Sequence, residues 1–216
     1  MRHALNLLLM SFAVTSLVAQ NLQVHYDLKD DRNNIITFIE QFKPDDHGAT
    51  YWFAQMTYDA NDGLMNSGYW EFARYFHVSD ALPIDFTLQF NDGLAFWGNM
   101  GQAYLTGVNY TLMFGEFALP IDLLYRRDMS GKSNEAQFTT SWFHPMMDGK
   151  LLLNGYFDAW TVTQNGDREL NVLTEPAIWY QVKKPVYLGS KIEISYNLMS
   201  PQEWKYYPTI ALRWDW

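Results

Sequence analysis

Apolar and polar residues alternate with a period of two along nearly the whole chain, and stretches of helical 3.6-residue periodicity are few. A period of two is the pattern of a strand whose two faces meet different surroundings. Over 22–29, Leu22, Val24, Tyr26 and Leu28 share one face, and Gln23, His25, Asp27 and Lys29 the other. Over 84–91, Ile84, Phe86, Leu88 and Phe90 oppose Asp85, Thr87, Gln89 and Asn91. Over 191–199, Ile192, Ile194, Tyr196 and Leu198 oppose Lys191, Glu193, Ser195 and Asn197. The same holds for 117–128 and 206–216. Turn-forming clusters such as Asn61-Asp62-Gly63, Asn91-Asp92-Gly93, Ser130-Gly131-Lys132 and Asp148-Gly149 separate the runs.

The pattern predicts twelve strands, near 22–29, 35–43, 49–59, 68–78, 83–91, 103–114, 117–128, 134–144, 150–164, 170–183, 191–199 and 205–216. An even count returns both chain ends to one side of the sheet. Strands of ~10 residues with connections of ~6 use about 186 residues, which leaves no room for a second domain or a plug. The longest connection, near 92–102, contains Phe96-Trp97.

The chain opens with Arg2, an apolar run over 4–18 and Ala19 before Gln20. A basic start, a short apolar stretch and a small residue at the cut read as a secretory signal peptide over 1–19, with Leu17 a less usual residue at the −3 position. The domain then runs from 20 to 216. No later segment reaches the ~18 consecutive apolar residues of a spanning helix.

An exported all-β chain has two ordinary solutions. A soluble sandwich or barrel buries its apolar face; a transmembrane barrel turns it to lipid and encloses the polar one. Composition and placement favour the second. Charged residues make up only 18% of the chain, against a usual ~25%, while 9 Trp, 14 Tyr and 14 Phe are spread along it. Those aromatics stand at the ends of apolar faces: Trp52 and Tyr58, Trp70, Tyr104 and Phe114, Phe117 and Tyr125, Trp142, Tyr180, Tyr206 and Trp214. Two headgroup interfaces select such girdles, whereas a dry core gives aromatics no reason to gather at its rims. The opposite faces carry Asp27, Asp59, Glu71, Asp85, Asp122, Arg126, Glu135, Asp158, Glu175, Lys183, Glu193, Arg213 and Asp215. Leu212, Trp214 and Trp216 share one face of the last strand and resemble the terminal signal that the barrel-assembly machinery of the outer membrane reads. The expectation is a twelve-stranded antiparallel outer-membrane barrel.

Arg74 breaks this pattern by sharing a face with Trp70, Phe72 and Phe76. At mid-bilayer it costs roughly 2–4 kcal/mol, so a β-bulge near Ala73 that rotates it inward is expected. Glu40, on a strand with two mixed faces, is placed inward for the same reason. Alternation also sends Tyr51, Phe53, Tyr69, Tyr75, Tyr156, Trp160, Trp179 and Tyr207 into the lumen. Enclosed charges are normally paired, so Glu71 with Arg74 and Asp122 with Arg126 are the expected partners. Read for function, aromatic faces beside acids and amides suit a flat, hydrogen-bonding, uncharged solute, stacking being worth about 1–3 kcal/mol per base. A lumen rich in acids repels phosphates and admits neutral or cationic solutes.

The segments Thr37-Phe38-Ile39-Glu40-Gln41-Phe42, Trp52-Phe53, Tyr58-Asp59 and Tyr69-Trp70-Glu71-Phe72-Ala73-Arg74-Tyr75-Phe76 resemble the early strands of the Tsx-type nucleoside channels. They resemble even more an uncharacterised family of small outer-membrane barrels related to those channels. The likeness covers about 35–78 and beyond it only the strand count and the terminal aromatic. It implies a monomeric twelve-stranded barrel that passes nucleosides by diffusion, with Glu40, Asp59, Glu71 and Arg74 as motif positions. This chain is shorter, with clipped loops.

Two rivals stand beside the channel. A lipid-modifying barrel enzyme needs a Ser–His pair, but Ser141 and His144, three apart on one strand, fall on opposite faces. The other is a closed structural barrel. A net charge of -9 argues against nucleic-acid binding, and zero Cys with no metal-ligand His spacing points to no metal and no cofactor. If the terminal strand is the assembly signal, deleting Trp216 will lower the folded barrel in the membrane without stopping export, which fractionation with immunoblotting measures; unchanged membrane levels would refute it.

Overall fold

The computed structural model describes residues 19–29, 32–79, 81–164, 166–198 and 200–216. The leader expected over 1–19 lies outside them except for Ala19, the first residue of the first strand. The strands are β1 Ala19–Asp27, β2 Asn34–Asp45, β3 Gly48–Asp59, β4 Met65–Ser79, β5 Leu82–Ala95, β6 Ala103–Phe114, β7 Phe117–Asp128, β8 Asn134–Met146, β9 Leu151–Gln164, β10 in two segments, Asp167–Thr174 and Ala177–Lys183, β11 Val186–Tyr196 and β12 Trp204–Asp215. Both segments of β10 pair with β9, so Glu175-Pro176 interrupts a single barrel strand. Gly98–Asn99 forms a short extra pairing with Leu94 and Ala95. No helix occurs among the described residues.

Each strand runs antiparallel to its neighbour, and β12 pairs with β1 from Asn21↔Asp215 to Asp27↔Thr209. The sheet is thereby a closed twelve-stranded barrel. Closure leaves no row of unpaired backbone groups, the condition for a β-structure in hydrocarbon. The connections are asymmetric. At the end holding the termini they are residues 46–47, 80–81, 115–116, 147–150 and 184–185; at the other end they are 28–33, 60–64, 96–102, 129–133, 165–166 and 197–203. Short turns on one side and mostly longer loops on the other are the habit of outer-membrane barrels.

The faces settle which side of each strand meets which surroundings. Leu212 is 55% exposed and its neighbour Arg213 3%; Leu88 is 46% exposed and Thr87 0%. Val24, Leu123, Leu188 and Ile210 also point out, and Asn21, His25, Asp122 and Thr209 point in. Aromatics ring both ends of the outer band: Tyr26, Tyr104, Tyr125 and Tyr206 toward the loops, and Phe76, Phe114, Tyr180 and Trp214 toward the turns. Aliphatic side chains such as Leu88, Leu123 and Ile210 stand in the belt between them, with Phe72 among them.

Two expectations fail. Pairing of β3 with β4 is unbroken from Gly48↔Phe76 to Thr57↔Ser67, with no bulge at Ala73. Arg74 therefore stays on the outer face. It lies beside Thr50, near the turn end rather than at mid-bilayer, and binds both carboxylate oxygens of Asp45 and the Thr50 hydroxyl. A rim position and an acid partner remove the cost that called for a bulge. Lys183 also leaves the lumen, because the register slips between Gln181 and Lys183 and sets it opposite outward Val186.

Ile210→Arg places a cation in the middle of the outer belt. It will lower the stability of the barrel refolded in lipid vesicles by about 2–4 kcal/mol in urea titrations, and a neutral effect would mean that this face does not meet lipid.

Candidate functional site in the lumen

Inward side chains from all twelve strands line the lumen, which is not filled evenly. The wall of β10, β11, β12 and β1 is closed: Trp179, His25, Thr209, Ser195 and Asn21 are fully buried. Trp179 packs on Leu152, Ala177, Ala211 and Tyr187 and donates its indole N–H to Asn154 at 2.8 Å. His25 meets its ring edge-on at 5.8 Å, and the Arg213 guanidinium lies 5.8 Å from its centroid. Gly189 makes room for it, since a Cβ there would stand 2.5 Å from the indole. Along β3, β4 and β9, Tyr51, Phe53, Tyr69, Glu71, Tyr156, Asp158 and Trp160 face inward yet are only half-buried. The accessible part of the lumen runs along β3, β4 and β9.

Three networks occupy successive parts of the interior. Toward the turns, Glu40 accepts from Asn21 at 2.8 Å and from the Tyr51 hydroxyl at 3.0 Å, with Arg213 at 4.0 Å. Arg213 itself is bound to Asp215 at 2.6 Å. In the middle, Glu71 accepts from Tyr69 at 2.7 Å and Asn91 at 2.9 Å; Asp122 accepts from Asn109 at 2.6 Å, Gln89 at 2.8 Å and Tyr75 at 3.0 Å; Asp158 accepts from Thr139. Arg126 donates to Gln137 at 2.9 Å and lies over Trp160. Toward the loops, Arg32 reaches inward to Asp27 at 2.9 Å and Glu193 at 2.8 Å, with its guanidinium 4.1 Å from the centre of the Tyr207 ring.

The expected lumen set is therefore mostly assembled: Glu40, Phe53, Tyr69, Glu71, Asp122, Arg126, Tyr156, Asp158, Trp160, Trp179, Glu193 and Arg213 all point inward. Arg74 does not. Asp59 occupies the rim and spends its carboxylate closing its own turn, accepting from the backbone N–H and the amide of Asn61. Asp85 sits at the opposite rim with His77 at 3.0 Å. The expected ion pairs are replaced: Glu71 and Asp122 are held by neutral donors, and Arg126 by an amide. Sequence reasoning missed Arg32 because it lies in a turn cluster, where alternation carries no information. It also missed the ion pair of Lys191 with Glu175 at 2.6 Å, since its partners stand on different strands around the break in β10. Ser141 faces inward and His144 outward against Phe117, so the hydrolase pair does not form.

The aromatic side of the lumen is continuous. Phe38 and Phe53 stack at 4.9 Å, and Phe53 meets Tyr69 at 5.9 Å and Tyr51 at 6.1 Å. Tyr69 lies across Gly93, where a Cβ would come within 2.8 Å of its ring.

A closed twelve-stranded antiparallel barrel with an apolar girdled exterior and a polar interior is the fold of the outer-membrane porins. Residues 19–216 match the family described as a domain of unknown function (DUF5020), and the chain belongs to it. No curated protein matches the sequence. Among solved structures the chain is similar to the NanC porin, at 7% identity and a TM-score of 0.60 over 91% of this chain and 99% of that one. It is also similar to the KdgM porin in complex with disordered oligogalacturonate, at 8% identity and a TM-score of 0.50 over 92% and 99%.

Trp179→Ala removes the largest side chain of the closed wall. It will destabilise the barrel refolded in lipid vesicles by about 3–5 kcal/mol in urea titrations; unchanged stability would mean that this wall is not the packed part of the interior.

Proposed function

We propose that this protein is a narrow channel of the bacterial outer membrane for passive diffusion of small neutral and cationic solutes, with nucleosides as the first class to test. One observation carries the reading. The mid-lumen acids Glu71, Asp122 and Asp158 are held by tyrosine, amide and threonine donors, with no salt-bridge partner among the described residues. Carboxylates enclosed with too little counter-charge call for water or mobile cations beside them. Arg126 alone does not balance three acids, so the sign of the mid-lumen is negative. Oligogalacturonate, the polyanion in the KdgM complex, is a poor match for such a lumen.

The nucleoside reading rests on the Tsx-type resemblance of 35–78 and on the Phe53–Tyr69 faces beside Glu71. Base stacking supplies about 1–3 kcal/mol, and a phosphate would meet the acids. In this reading the barrel works as a monomer, inserted by the outer-membrane assembly machinery after export, with lipid as its remaining partner.

Planar-bilayer recording under a salt gradient tests the channel. The refolded barrel will prefer cations, and Glu71→Gln will lower the cation-to-anion permeability ratio by about twofold. In liposome swelling, adenosine will enter faster than its monophosphate. No conductance, anion preference or equal entry of both solutes would overturn the respective part of the proposal.

A further inference from the structure

The outer wall of the barrel is not smooth. Between β4 and β7, two rows of facing residues cross the strands: Phe72, Phe90, Tyr104 and Arg127 in one, Arg74, Leu88, Thr106 and Tyr125 in the next. Thr106 is short among long side chains, and a groove of about 430 Å³ opens there. It belongs to the lipid-facing band, since Phe72, Leu88, Tyr104 and Tyr125 are all exposed. Two arginines border it, and their partners differ. Arg74, toward the turns, gives its guanidinium to both carboxylate oxygens of Asp45. Arg127, the last residue but one of β7, stands in the loop-side girdle opposite Tyr104. Among the described residues it makes one hydrogen bond, from Nη1 to the Asn134 amide oxygen at 2.7 Å, and no ion pair. The outward acid of β5, Asp92, is taken up by the Gly93 N–H and the Gln102 amide, and Asp128 closes its own turn through the Gly131 N–H. A second guanidinium reaches the same place. Arg168 donates to the Asn134 carbonyl at 3.1 Å, its side chain 64% exposed and Glu135 3.6 Å away. Two cations thus flank Asn134, and one acid answers them.

We infer that this groove binds one lipid of the loop-side leaflet that carries a net negative phosphate headgroup, with an acyl chain along Phe72, Leu88, Phe90 and Thr106 and the phosphate on Arg127. The inference needs the barrel to span a bilayer and is independent of the channel reading. A groove left empty forfeits dispersion contacts, so in a bilayer some chain fills it and the headgroup decides which lipid stays. The guanidinium fork matches phosphate oxygens with two parallel hydrogen bonds, and Arg127 keeps Nε and its second terminal nitrogen open for them. Free phosphate finds the same donors but leaves the groove empty. A zwitterionic lipid fills the groove but brings a cation of its own beside Arg127.

The barrel, refolded in detergent micelles, is titrated with palmitoyl-oleoyl phosphatidylglycerol, with phosphatidylcholine of the same chains and with inorganic phosphate, and bound lipid is counted by native mass spectrometry. One phosphatidylglycerol will bind about fivefold tighter than phosphatidylcholine, the gain expected of one cation at a membrane surface. Arg127→Gln will bring the two lipids to within about twofold of each other. Thr106→Trp, which fills the groove, will weaken both. Each variant is compared at unchanged circular dichroism, and if neither folds, the two lipids on the wild-type chain still decide. Equal affinity for the two lipids, a preference that survives Arg127→Gln, or displacement of the lipid by an equal concentration of inorganic phosphate would overturn the site. So would a dimer of the chain in place of the lipid adduct.

Discussion

In hydrocarbon, a backbone N–H or C=O without a partner costs several kcal/mol, so a sheet that crosses a bilayer must close on itself. The pairing of β12 with β1 meets that requirement and fixes the rest. Once the ring is closed, the registers make facing residues on neighbouring strands share a side: Asn21 faces Glu40, Glu40 faces Phe53, Phe53 faces Glu71, and Glu71 faces Asn91. A one-residue slip in any pair would turn one strand's acids to the lipid. The side-chain pattern and the backbone ladder are thus one constraint, seen from two directions.

The interior inherits a difficulty from this arrangement. A ring of this size gathers more charge than its own residues neutralise. The chain distributes the problem. Toward the turns and the loops, Arg213 and Arg32 bind acids directly; beside the break in β10, Lys191 and Glu175 form a close pair. In the middle, acids are left to neutral donors: Glu71 and Asp158 on the accessible side, and Asp122, 3% exposed, with three of them. Burial explains the pairing beside the Trp179 wall. Against the packed wall of Trp179, an unpaired charge would be stranded without water, whereas along β3, β4 and β9 the lumen can solvate it.

Much of this was legible before any coordinates. Period-two alternation set all twelve strands, most of them within a few residues, because two contrasting surroundings act on every residue of the wall. It also set the direction of each lumen residue wherever pairing is regular. It failed where information is non-local. Arg74 and Asp45 are 29 positions apart and meet only across the β2–β4 wall, so the remedy imagined from sequence was a bulge and the actual one is an ion pair at the rim. Lys183 was lost to a register slip that no residue pattern announces. Asp59 has lumen parity, but its carboxylate is captured by Asn61, two residues on, inside a turn. Arg32 enters the lumen from a loop, where parity says nothing.

The similarity to two porins at 7–8% identity shows that one architecture accommodates very different sequences. Closure asks only that outward positions be apolar and that aromatics mark the two interfaces. Inward positions are free to change sign, provided each charge finds a partner or water. Fold and solute preference are therefore separable properties of such a barrel. In this chain the two are written on alternate residues. Even positions of β1 and β12, such as Val24 and Leu212, answer to the bilayer; odd ones, such as His25 and Arg213, answer to the lumen. A substitution in the first set will act mainly on insertion and stability. In the half-buried part of the second, around Glu71 and Asp158, side chains lie outside the packed wall of Trp179, so that is where the chemistry of the lumen can be altered while the barrel is retained.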